Sequence, residues 1–139
     1  MHQMGKRSAW PLIVLWIPLV LNAKRTPPEP VAPVAGDGVT YSARGDGVDE
    51  FVVATDTKSA KELWRAKVYT VPIRRELETD VQAVYITKLK LAGGTLYVRD
   101  EASRCYQLDV KMQKTETTSC SAMKAAKSTA VAAPPQSQK

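Results

Sequence analysis

Across residues 39–111, β-prone apolar runs alternate with polar positions and are separated by short turn signals. FVVATD (51–56) is one such run, TKSAK (57–61) supplies a turn, and ELWRAKVY (62–69) alternates so that Trp64, Ala66 and Val68 share a face. The pair predicts a hairpin. VQAVYITKLKL (81–91) is the longest run, AGG (92–94) breaks it, and TLYVRD (95–100) follows. EASR (101–104) then turns the chain into CYQLDVK (105–111), with Tyr106, Leu108 and Val110 on one face, which predicts a second hairpin. VTYSA (39–43) predicts a short opening strand, and GDG (45–47) the turn after it. TVPIRRELETD (70–80) is the longest connection, where Pro72 excludes a central-strand position and one turn of helix is predicted at 74–77. The expected fold class is mainly β: a small curved antiparallel sheet or incomplete barrel of about four to six strands.

The flanks read differently. Lys6 and Arg7 precede an apolar run at 10–21 that contains Pro11 and Pro18, and Ala23 is followed by a basic, polar stretch. This is the pattern of an export signal cleaved after Ala23, and the run is short of the ~20 apolar residues that cross a bilayer as a helix. Leu21 is large for its place before the cleavage site, so an uncleaved N-terminal anchor through residues 8–23 is the alternative. Residues 24–38 (KRTPPEPVAPVAGDG) are Pro-rich and predict an extended linker; the β domain follows at 39–111. The stretch 112–139 reads as a mostly disordered tail, rich in Ala, Ser and Lys beyond residue 122, with a short helix at 121–127 as the alternative.

VVATDTKSAKELWR (52–65) resembles the repeat of quinoprotein-type β-propellers, the pyrroloquinoline-quinone (PQQ)-like repeat. Ala54 and Asp56 stand at the strand end, Lys58 and Lys61 flank the turn, and Trp64 holds the aromatic position; Ser59-Ala60 replaces Thr-Gly. GTLYVRDEASRCYQLDVK (94–111) is similar to the part of the repeat just upstream through Gly94, Tyr97, Val98, Tyr106, Leu108 and Asp109, with Ala102-Ser103 in place of Asp-Gly. The resemblance covers about 32 residues. It implies a strand count of one to one and a half blades, an Asp that caps the turn, and a Trp packed between neighbouring blades. A closed propeller needs at least about four blades, so a complete one is not expected. The quinone cofactor is not carried over, because its vicinal disulfide, acidic calcium ligands and channel are not recognisable; no cofactor and no metal are expected.

Charge and chemistry change this picture little. Removing Lys6 and Arg7 leaves 18 basic and 14 acidic residues, interspersed, so no nucleic-acid footprint is read. His2 is the one histidine and lies in the export segment, which excludes Ser-His-Asp, Cys-His and histidine-metal arrangements from a mature chain. Cys105 and Cys120 form an even pair that a compartment permitting disulfides would bridge; two unpaired thiols are the alternative. The acidic neighbours Asp49-Glu50, Glu76-Glu78-Asp80 and Asp100-Glu101 are carboxylates that read as turn and surface acids, acid–base catalysis requiring a pocket around them. Trp64, Tyr69, Tyr85, Tyr97 and Tyr106 are candidates for an aromatic binding face with Arg65, Arg99 and Arg104 at its rim, or else for core and cross-strand pairs. The functional expectation is an exported, periplasmic or secreted, non-enzymatic module of the cell envelope that binds a protein partner or itself. The alternative is an accessory subunit of an envelope quinoprotein, or a weak hydrolase resting on Glu76, Glu78 or Asp80.

Overall fold

Turn chemistry sets the chain path. Asp37 and Gly38 both take positive φ (52° and 76°), the left-handed pair that a two-residue hairpin favours, and they join β1 (Val34–Gly36) to β2 (Val39–Gly45). Gly47, with φ 86°, turns β2 into β3 (Asp49–Asp56); a side chain there would strike Ala83 and Tyr85. At the next turn the Asp56 carboxylate accepts from the N–H groups of Lys58 (3.0 Å) and Ser59 (2.7 Å), and β4 (Glu62–Thr70) returns. A short helix α1 (Thr79–Gln82) lies in the long connection. β5 (Ile86–Ala92), β6 (Thr95–Asp100), β7 (Cys105–Asp109) and β8 (Lys114–Thr118) form a second meander, followed by α2 (Cys120–Ala125) and β9 (Val131–Ala132). The computed structural model describes residues 24–133. The export segment or anchor expected at 1–23, and the last residues of the tail, lie outside the described residues.

The fold is mainly β, as the alternation predicts, with two curved antiparallel sheets and, among the described residues, no closed barrel. Sheet A has the order β4-β3-β2-β1-β9 and sheet B the order β5-β6-β7-β8. They pack face to face, with β1 beside β5 and β4 beside β8. Register puts Tyr41 opposite Ala54, Ala54 opposite Trp64 and Val52 opposite Ala66 in sheet A. In sheet B, Leu89 pairs with Val98, Leu91 with Leu96, and Leu96 with Leu108. These inner faces form one core, in which Val52, Ala54, Leu96, Val98 and Leu108 are fully buried.

Three sequence expectations need correction. The linker is not wholly extended: Val34–Gly36 is strand, because the Asp37-Gly38 turn folds it back onto β2. The tail is ordered through residue 132, because Lys114–Thr118 pairs with β7, Cys120 is tied to Cys105, and Met123 is buried beneath α2. Finally, 81–91 is not one strand. The Gln82 side chain donates to the carbonyls of Arg74, Leu77 and Glu78 and accepts from Arg74 N, which winds 79–82 into a helical turn. Strand begins only at Ile86; residues 74–77, expected as helix, form a hydrogen-bonded turn.

Candidate functional site

The aromatic and arginine candidates do not converge on one surface. Trp64 sits half-buried on the inner face of β4, its ring tilted against Tyr41 at 5.9 Å. Tyr69 and Tyr106 stack at 5.1 Å near the other end of the same interface, and the Tyr69 hydroxyl donates to Val84 O at 2.8 Å. Tyr85 lies below Arg25, whose guanidinium is 6.0 Å from the ring centre. Tyr97 and Arg99 belong to the outer side of β6, and Arg65 to the outer side of β4, over the Phe51 ring. Cys105 and Cys120 are bridged, with Cα atoms 5.2 Å apart.

The acidic pairs split in an informative way. In Asp49-Glu50, Asp49 faces outward and binds Lys67 at 2.9 Å, while Glu50 is in phase with Val52 and Ala54 and points inward, 2% exposed. Glu50 accepts from Gly47 N (2.9 Å) with one oxygen and from Ile86 N (3.3 Å) with the other, so a carboxylate of sheet A holds the first residue of sheet B. Burial pushes its pKa up, and the two N–H groups oppose that rise without reversing it. In Asp100-Glu101, Asp100 is the buried member, 1% exposed. It accepts from Arg104 N (2.9 Å), Arg104 Nε (2.7 Å) and the Tyr106 hydroxyl (3.4 Å). The Arg104 guanidinium lies over Tyr69 at 5.5 Å. Burial raises both phenols above their ordinary range, with Glu50 and Asp100 adding to the rise at Tyr69. Glu101 instead faces the surface. Burial works against its ionisation, but the Tyr85 N–H and Arg25 hold it below the usual glutamate value. Glu76, Glu78 and Asp80 stand on the outer loop, the first two exposed.

A cleft of about 240 Å³ opens above Glu50. Its roof is the strap Pro27–Val31, and its floor includes Ala43, Gly45, Tyr85 and Ile86. Arg25 latches the strap by donating to Ala83 O and to Glu101 at 2.6 Å. The buried side-chain polar atoms here, the Glu50 carboxylate among them, already have internal partners, so this region couples the sheets and the strap; it is built as a structural network with a small polar opening.

Glu50 and Asp100, expected as turn and surface acids, are buried instead, and Arg25 is a residue that the sequence reading does not single out. The signal was the phase: counting by twos from Val52 and Leu96 puts Glu50 and Asp100 on the core face. No protein-family model matches the chain, and no curated protein matches it.

Proposed function

We propose that this chain is an exported, non-enzymatic β module of the cell envelope that binds another protein, with β4 as its docking edge. The observation that carries the reading is β4 itself. It is nine residues long, pairs as a strand with β3 alone among the described residues, takes one further bond from the Thr115 side chain at Lys67 O, and presents Leu63, Arg65 and Lys67 on its outward side, all exposed. An edge of that length offers backbone donors and acceptors to an added strand, and alternate side chains supply specificity. Leu63 is 51% exposed beside two cations, a mixture suited to a partner that is apolar at its centre and acidic at its rim. The Cys105–Cys120 bridge supports the exported location, since disulfides persist in oxidising compartments. Two successive four-stranded meanders, stacked face to face, support the resemblance to the PQQ-like repeat.

The test compares the chain with a Leu63→Lys, Arg65→Glu double variant as bait against an envelope extract, with solution mass measured by light scattering for both. A partner, or a second copy, held by the first and lost by the second at unchanged near-ultraviolet circular dichroism supports the reading. Equal retention by both, or a monomer that retains nothing above a scrambled control, refutes it.

A further inference from the structure

The register of β5 and β6 places Lys88 directly opposite Arg99. Like charges in opposite positions disfavour a sheet, and here a third cation, Lys90, follows on the same face of β5. A fourth comes from outside the sheet: Lys124 on α2 closes the other wall, above Met123 and Cys120. The four cations line one cavity of about 250 Å³. Among the described residues, none of Lys88, Lys90, Arg99 or Lys124 pairs with a carboxylate. The acids that follow Arg99 in sequence are already committed: Asp100 binds Arg104 and Tyr106 on the inner side, and Glu101 binds Arg25 and Tyr85 N. Arg99 spends one nitrogen on Ser103 Oγ at 3.1 Å, which orients the guanidinium and leaves its remaining N–H groups available. Lys90 donates to the carbonyls of Met123 (2.7 Å) and Lys124 (3.5 Å), so the negative end of α2 is masked from the cavity.

We propose that this pocket binds a phosphate group. The physical reason is that Lys88, Arg99 and Lys124 surround a small polar volume from different elements, which suits a compact tetrahedral dianion better than a single carboxylate. Arginine adds a planar fork of donors matched to phosphate oxygens. The disulfide belongs to the site: it joins Cys120, at the start of α2, to β7 and so holds the wall that carries Lys124. Free phosphate and a phospholipid headgroup present the same chemistry, and the two sources separate by experiment.

The full, oxidised chain is titrated with inorganic phosphate by calorimetry, and separately sedimented with vesicles of phosphatidylglycerol and of phosphatidylcholine. Binding to the neutral vesicles measures what the apolar run at 10–21 contributes by itself. Lys88→Gln and Arg99→Gln are compared with Lys111→Gln, which removes the same charge from the β7–β8 turn. Saturable phosphate binding that each pocket variant weakens about tenfold or more, and the control does not, supports the pocket with free phosphate as ligand. Preferential binding to phosphatidylglycerol with the same pattern of variants, without free-phosphate binding, supports it with a headgroup as ligand. No binding in either arm, or equal losses in all three variants, overturns the proposal. Retained disulfide and near-ultraviolet circular dichroism confirm that each variant is folded.

Discussion

Four described residues other than glycine, Asp37, Ala60, Ser103 and Gln113, take the left-handed conformation that glycine adopts most readily, and two of them stand in matching turns. Ala60 (φ 57°) and Gln113 (φ 56°) occupy the same place in equivalent turns, four residues after Asp56 and Asp109, whose carboxylates cap the N–H groups two and three residues on. A side chain in the left-handed region costs about 1–2 kcal/mol, offset in part by glycine's greater freedom in the unfolded chain. Ala60→Gly and Gln113→Gly are each expected to stabilise the domain by about 0.5–1 kcal/mol, read as a rise in thermal midpoint of a few degrees. A fall in either midpoint contradicts the turn geometry. Glu50 gives a prediction of a different kind. Its folded pKa is raised, so the protonated form is the one that folding favours. Its contribution is therefore fully present below the ordinary value of about 4.5 and is lost as pH rises through the folded value. In Glu50→Gln the amide meets a backbone donor at Gly47 or Ile86, a loss of about 1–3 kcal/mol that does not titrate. The difference in stability between the chain and this variant should fall as pH climbs from below that range toward neutrality and then level off. Urea unfolding at a series of pH values checks the slope; a difference that grows with pH contradicts the assignment.

Among the elements, α2 depends most on a single covalent link. It has six residues, one buried side chain, Met123, and an N-terminal cap from Ser119, whose hydroxyl accepts from Ala122 N. A helix that short does not hold by propensity alone. Reduction of Cys105–Cys120, or Cys120→Ser, is expected to cost about 3 kcal/mol for a loop of 15 residues and to speed hydrogen exchange at 120–126 more than in β6. Unchanged exchange at α2 after reduction contradicts this role. The same dependence explains what was legible in the sequence. β3, β4, β6 and β7 were readable because FVVATD, ELWRAKVY, TLYVRD and CYQLD alternate or run apolar between turn residues. β8 was not, because KTETT is wholly polar; its place is set by the Asp109 turn and by pairing with β7. α2 was legible only as the alternative of a short helix at 121–127, and β9 was hidden, because their anchors, Cys105 and β1, are distant in sequence. At the sites, Tyr106 was readable as a core residue from its phase with Leu108 and Val110, whereas Tyr69 is out of phase with Trp64, Ala66 and Val68 and comes opposite Glu50 through a register shift between Glu50 and Phe51. The opposition of Lys88 and Arg99 was not readable, since it depends on a register shift between Ile86 and Lys88 that local pattern does not determine.

For the molecule as a whole, the question is whether two sheets with separate hydrogen-bond ladders unfold as one. Each sheet leaves an apolar face that only the other covers among the core residues, and neither has a second apolar layer of its own there. Polar links reinforce the join at both ends: Glu50 to Ile86 N, the Tyr69 hydroxyl to Val84 O, and Thr115 Oγ1 to Lys67 O at 3.1 Å. Separation would expose both inner faces and strand these partners, so the sheets should share one unfolding transition. Leu96 tests this, since it is fully buried on β6 and belongs to sheet B by hydrogen bonding and to the shared core by packing. Leu96→Ala is expected to cost about 2–5 kcal/mol. If the sheets form one cooperative unit, the slowest-exchanging amides of β3 must lose as much protection as those of β6, although β3 is in the other sheet. Loss confined to β5–β8 would mean that sheet A holds its own structure, and that the core joins two separately stable layers.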